Sequence, residues 1–429
     1  MDRALAIRVT ALYLPLMAAI ACWLRRPPDS RALGGVILAV GWNVATLVPL
    51  QLAAERLGWW NFSAGTGDRI PFPVELIIGW AVAWGALPVL LRPRPRIVML
   101  FAAALIADVL LMPSLSPVLV LGDRWIIGEA VALSSCLIPG ALLGWWMSDD
   151  RRTGCRATLQ VLTFALLAGV LLPALIVSLT TSGPIVLDTG PAMLLPQLTM
   201  LVALPGLSAV QEFVERGRGT PIPFDPPKRL VTSGVYAYVA NPMQLSMTLC
   251  YLAVAMMLHS WWVALAAAMS VIYSEGIARW DEDHDLVAGA GRAWPEYRRA
   301  VRRWLPRWKP LSREAAGEMA ARLYIDSDCP QCTQLGGWLL ARSPVGMSIE
   351  PARSYPGPAL ERITYDPGDG SPHQRGVAAV ARALEHLSLG WALVGMLARL
   401  PVLVNALQFL TDASGGEPRT TDQPACLTQ

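Results

Sequence analysis

The chain has 429 residues, 54% hydrophobic and only 16% charged, with a mean hydropathy of +0.43. A soluble domain carries about 25% charged residues, so this composition excludes both a disordered chain and an enzyme that is soluble throughout. A net charge of +3 gives no electrostatic footprint for a nucleic-acid partner.

Crossing a hydrocarbon core of about 30 Å takes about 20 apolar residues. Nine runs approach that length: 4–24, 32–54, 72–91, 97–113, 126–147, 157–180, 191–211, 242–258 and 261–279. The first is not a signal peptide, because it has no small-residue cleavage site and runs directly into Arg25 and Arg26. Arginine is concentrated in the alternate loops 25–31, 92–96, 148–156 and 212–233, while the intervening loops hold only Arg56, Arg69 and Arg124. The positive-inside rule puts the rich loops in the cytoplasm, the N-terminus outside, and residues 310–429 inside. Arg3 and Arg8 run against this scheme. The expected location is the inner (plasma) membrane.

Within the first 150 residues, Glu75, Asp108 and Glu129 fall in the outer halves of apolar runs. Such carboxylates mark function or sit within snorkelling reach of the interface. The segments Gly58-Trp-Trp-Asn-Phe62 and Pro71-Phe-Pro-Val-Glu75 faintly resemble membrane carotenoid cyclases, whose motif is Pro-x-Glu-Glu. Here Leu76 takes the place of the second carboxylate. The role of 1–150 is left open.

The stretch from Gly217 to Met243 reads G-R-G-T-P-I-P-F-D-P-P-K-R-L-V-T-S-G-V-Y-A-Y-V-A-N-P-M. Its prolines forbid a helix, and Gly217, Gly219 and Gly234 allow a close backbone approach. Asn241-Pro242 suits a helix entrance, Asn as N-cap and Pro in the first turn. A hydrophobic hairpin follows and runs out into Asp281, Glu282, Asp283 and Asp285, then into an Arg/Trp-rich amphipathic stretch at 292–304 suited to a membrane surface. These residues describe either a carboxylate-bearing, aromatic-walled pocket for a cationic, hydroxyl-rich cofactor or a solvated juxtamembrane loop.

The pattern resembles the isoprenylcysteine carboxyl methyltransferase and phospholipid methyltransferase family, over about 157–307. Members of that family bind S-adenosylmethionine on the cytoplasmic side and take a lipid-soluble acceptor from the bilayer. The resemblance implies cofactor contacts at Gly234, Tyr236, Tyr238, Asn241, Pro242, Glu282, Asp283 and Tyr297. The chain departs from the family at Ala240, where the family has Arg, at Asp283 for Glu, at Ala290 for Phe and at Trp294 for Tyr. Losing the Arg removes a bidentate donor for a carboxylate.

Composition changes after Trp308, and residues 318–415 read as an α/β domain behind a 310–317 linker and ahead of a 416–429 disordered tail. Arg322–Asp326, 348–352 and 362–366 read as strands, with helices to about Ala341 and over 377–387, the latter carrying its charges on one face. Asp328-Cys-Pro-Gln-Cys332 places Cys329 at a helix start, where unpaired amides favour a thiolate and Cys332 can resolve a mixed disulfide. Half a zinc site and an inert pair are the alternatives, although no second Cys or His pair lies nearby. Residues 320–412 resemble the DCC-type family of thioredoxin-like thiol-disulfide oxidoreductases, with Gly376-Val-Ala-Ala379 and Arg399-Leu-Pro401 as further matches. That resemblance makes Cys329 and Cys332 catalytic and implies a cytosolic thiol reductant or thiol substrate as partner.

The expected fold is thus a polytopic α-helical membrane protein of about nine spans: a 1–150 region, a 151–309 methyltransferase-like module and a C-terminal α/β thioredoxin-like cytoplasmic domain. The expected function is S-adenosylmethionine-dependent methylation of a lipid-soluble small molecule, with no metal. The alternative is a membrane-anchored thiol-disulfide oxidoreductase with a degenerate methyltransferase module.

Overall fold

The computed structural model describes residues 2–63, 70–91, 93–181, 194–222, 224–225, 227–279, 291–312, 319–416 and 418. The chain divides into two compact units: Met1–Val186 with Thr220–Pro226, and Leu187–Gly219 with Pro227–Gln429.

The first unit is helical: α1 (Arg3–Arg25), α2 (Ser30–Leu57), α3 (Val74–Leu90), α4 (Ile97–Leu115), α5 (Trp125–Ser148) and α6 (Thr153–Thr180). Two short strands, β1 (Trp60–Phe62) and β2 (Leu119–Leu121), pair antiparallel with Trp60 opposite Leu121. Three of these helices widen to a π-turn just before a proline: Val82–Ala86 ahead of Pro88, Leu133–Leu137 ahead of Pro139, and Ala165–Leu171 ahead of Pro173. A proline ring clashes with the carbonyl four residues back, and the wider turn relieves the clash. The Ser135 carbonyl freed in this way accepts the Trp42 indole N–H at 3.0 Å. Packing is close enough to require small residues: a Cβ on Gly35 would stand 2.6 Å from the Gly144 carbonyl oxygen.

The segment Thr220–Pro226 is anchored in this unit by charge. Asp225 and Arg156, both fully buried, pair at 3.0 Å; Arg31 reaches Asp225 at 3.4 Å and Asp150 at 2.9 Å. Ile222 completes a core cluster with Leu38, Trp42, Leu143 and Met147. Of the carboxylates in apolar runs, Glu75 meets Arg8 at 2.9 and 3.0 Å. Asp108 and Glu129 are both buried rather than snorkelling to the surface.

The second unit begins with α7 (Leu194–Gly217), α8 (Pro242–Met257), α9 (Trp261–Tyr273) and α10 (Ala293–Ala300). Six helices among the described residues (α1, α2, α4, α5, α6 and α7) are long and apolar enough to cross a membrane, or seven if one bent pair near the C-terminus counts as a span. This corrects the expectation of nine. Helices α3 and α8 are apolar but short. Prolines 71, 73 and 93 bracket α3, and α8 is fixed at its start by Pro242 and ended by His259 at φ +46. Helix α9 is 13 residues long, and the turn that extends it carries Ser274 and Glu275.

The C-terminal part of this unit holds β3 (Ala321–Ile325), α11 (Pro330–Leu340), β4 (Met347–Pro351), β5 (Thr364–Asp366), β6 (Gln374–Arg375), α12 (Val377–Leu384), α13 (Leu389–Ala398) and α14 (Pro401–Ala413). The sheet order is β4-β3-β5-β6, with β3 and β4 parallel and the other pairs antiparallel. Leu323 sits opposite Ile349 on one side and Tyr365 on the other. A parallel pair requires a crossover connection, and α11 supplies it. Alternate residues Ala321, Leu323 and Ile325 face a core shared with Leu339, Met347, Ala379 and Ala383. The strands and helices expected from sequence are thus present within a few residues of their expected bounds.

Candidate active site

The Gly217–Met243 loop is folded back on the chain that follows α10. Ala240 and Asn241 amides donate to the Arg302 and Arg303 carbonyls at 2.9 and 3.3 Å; Arg307 and Leu311 amides return bonds to Tyr238 and Ala237. Gly234 lies at φ +61, and a Cβ there would stand 2.6 Å from the Glu212 carboxyl carbon. Only glycine satisfies both conditions.

The aromatic residues expected to line a cofactor pocket are buried in one core. Tyr236 stacks on Phe213 with ring centroids 5.3 Å apart. The Tyr297 hydroxyl donates to the Tyr236 carbonyl, and the Tyr238 hydroxyl donates to the Glu385 carbonyl, both at 2.8 Å. Trp294, Ala392 and Met396 complete the cluster. These tyrosines therefore position backbone. Burial pushes the Tyr238 phenol well above its ordinary range, so it stays neutral.

Asn241 occupies the N-cap position of α8 but makes no side-chain capping bond. With its amide turned to satisfy both groups, its oxygen accepts from Arg303 Nη2 at 2.6 Å and Nε at 3.1 Å. Arg303 also reaches the Glu275 carboxylate at 3.0 Å and the Ser274 carbonyl at 3.2 Å; the Trp304 indole donates to Glu275 at 2.6 Å. Arg303 and Glu275 were not singled out from sequence. Arg303 is one arginine in an Arg/Trp-rich stretch that reads as surface, and only the pairing of that stretch with the loop turns it inward. Pro242 opens α8 as expected. Glu282 and Asp283 lie outside the described residues.

A second polar constellation lies behind Gly234. The buried Glu212 carboxylate is met by Arg382 and, at 3.0 Å, by Arg399, with Arg216 at 3.3 Å and the Ser233 hydroxyl at 3.2 Å. Glu385 binds Arg382 at 3.0 Å and Arg399 at 2.7 Å, and Glu215 binds the same two at 2.6 and 3.0 Å. The charges of α12, read from sequence as lying on one face, thus point into the molecule and tie α12 and α13 to α7.

A family model described as phospholipid methyltransferase matches residues 206–284. The match spans the end of α7, the Gly217–Met243 loop and the α8–α9 hairpin. No curated protein and no solved structure matches the chain.

The cysteine pair stands at the start of α11. Cys329 is the N-cap residue, and its Sγ accepts the Cys332 amide at 3.3 Å. Cys332 packs against the domain core, and its thiol is pushed up to about 12, first by burial and then by the Cys329 thiol beside it. The Asp328 carboxylate turns away from Cys329 to pair with Arg353.

Proposed function

We propose that the chain is an integral-membrane, S-adenosylmethionine-dependent methyltransferase acting on a lipid-soluble small molecule. The observation that carries this reading is the match over 206–284, whose loop is held shut against residues 302–311 by backbone pairing. The residues present fit the cofactor. A guanidinium at Arg303 suits its carboxylate, the Glu275 carboxylate suits its ammonium, and the Asn241 amide orients Arg303. Glu282 and Asp283 are the proposed contacts for its hydroxyl groups. Bound there, the cofactor supplies an electrophilic methyl group on a sulfonium. Transfer to an apolar acceptor then needs alignment and exclusion of water, and the core of Tyr236, Tyr238, Trp294 and Tyr297 keeps water from the back of the loop. Binding of S-adenosylmethionine by the purified protein in nanodiscs, and its loss in Arg303→Ala, tests the reading.

The same proposal keeps residues 318–415 as a thioredoxin-like thiol-disulfide oxidoreductase domain on the cytoplasmic side of the inner membrane. It is supported by a central parallel β-α-β unit with an antiparallel extension and by a cysteine pair of unequal character at a helix start. The second reading, a membrane-anchored oxidoreductase with a degenerate methyltransferase module, is favoured by Ala240 and by the engaged hydroxyls of Tyr238 and Tyr297. Failure to bind the cofactor, with a reactive Cys329 retained, would select it.

A further inference from the structure

The last two helices, α13 and α14, are apolar and meet at a bend of 86°. Helix α14 is amphipathic in an unusual sense. Two of its polar side chains engage the domain: Gln408 accepts the Val377 amide at 2.9 Å, and Asp412 takes both Arg362 nitrogens at 2.5 and 2.9 Å. Its outward stripe is mainly apolar, with Val402 85%, Phe409 72% and Leu410 58% exposed, and the one amide on it, Asn405, returns its N–H to the Pro401 carbonyl at 2.9 Å. Helix α13 adds Trp391, Val394 and Leu397 to the exposed set. A stripe at helical spacing that faces outward needs an occupant.

The position of the bend identifies that occupant. Arg399, between the two helices, is bonded to Glu212 and Glu215 in the closing turns of α7. Helix α7 is one of the candidate membrane spans, so the bend lies at the level where a span leaves the bilayer. At 13 residues, α14 is about 20 Å long, too short to cross a core of about 30 Å, and the bend prevents α13 from extending it.

We propose that α14 lies in the plane of the membrane surface with Val402, Phe409 and Leu410 in the acyl-headgroup boundary, so that the C-terminal domain is seated on lipid. An in-plane amphipathic helix of this kind binds through its buried apolar stripe. The inference is independent of any methyl-transfer activity.

The full chain in nanodiscs of phosphatidylcholine and phosphatidylglycerol would be irradiated with a lipid-dissolved diazirine and mapped by peptide mass spectrometry. Insertion at Val402, Phe409 and Leu410 should fall within about threefold of that at Met200 and Leu201, which are exposed on α7. The face bearing Gln408 and Asp412 should stay unlabelled. An unlabelled α14 beside a labelled α7 overturns the proposal. Labelling on all faces of α14 overturns it in favour of a full crossing. Labelling that disappears at high protein-to-lipid ratio overturns it in favour of a second copy of the chain. In Phe409→Asp/Leu410→Asp, labelling of α14 should fall at least tenfold while that of α7 is unchanged.

Discussion

Replacing Glu212 by alanine removes the carboxylate on which Arg216, Arg382 and Arg399 converge. Arg382 and Arg399 keep Glu215 and Glu385, and Arg216 keeps Asp369 at 3.2 Å, but the fully buried carboxylate that all three guanidinium groups share is gone. Removing one partner from a buried ion pair costs roughly 3–5 kcal/mol, because the charge left behind is uncompensated. About 4 kcal/mol corresponds to a fall in Tm of roughly 8–16 °C for a body of 150–250 residues. Glu215→Ala is the internal control: that side chain is 30% exposed, so water replaces part of what is lost, and the fall should be well under half as large. Thermal unfolding of both variants in nanodiscs, followed by near-ultraviolet circular dichroism, measures the difference. Equal shifts, or a Glu212→Ala shift below about 2 °C, would refute the view that this cluster holds α12 and α13 against α7.

Four further outcomes are expected, three from the described geometry and one from the arginine placement. Asp225→Asn should destabilise the first unit by a similar roughly 3–5 kcal/mol, since it strips the buried Arg156 of its fully buried partner; a Tm within 1 °C of the parent would show that Asp150, 3.2 Å from Arg156, suffices. Because the Cys332 thiol is held up to about 12, it should resist alkylation in the native protein at pH 8–9 while Cys329 reacts, and both should react in denaturant. The sign for stability follows: unfolding releases the Cys332 proton above the free-thiol value of about 8.5, so its contribution is complete below that pH and declines towards pH 12. Cys332→Ala should trap mixed disulfides through Cys329, and Cys329→Ala none; equal trapping by both would end the redox reading. In intact cells an impermeant maleimide should miss Cys155 and Cys329, as the Arg asymmetry requires; labelling of either reverses the proposed topology.

What could be read from the sequence depended on how local the signal was. The spans α1, α2 and α4–α7 declare themselves by apolar run length. The Tyr324–Ile325 strand, the turn at Cys329 and helix α11 likewise declare themselves by local pattern and capping. Helices α3 and α8 were marked by the runs 72–91 and 242–258 but fall short of a span, α3 bracketed by Pro71, Pro73 and Pro93 and α8 running only from Pro242 to the turn at His259. The ionic cluster was illegible for a different reason. Arg382 and Glu385 are separated from Glu212 by 170 or more positions, and a charged helix face reads as solvated until its partner is known. Arg303 was hidden in the same way, since its inward course depends on pairing between residues 240–241 and 302–303. The loop motif is a local signal, whereas tertiary contact decides how its side chains are engaged.

The central claim is cofactor binding at the loop. Calorimetric titration of the full chain in nanodiscs with S-adenosylmethionine should give a Kd in the micromolar range, about −8 kcal/mol. Arg303→Ala should weaken it at least tenfold, and Asp108→Ala should leave it unchanged. No binding heat at millimolar cofactor, in protein whose unfolding transition is intact, would contradict the methyltransferase account.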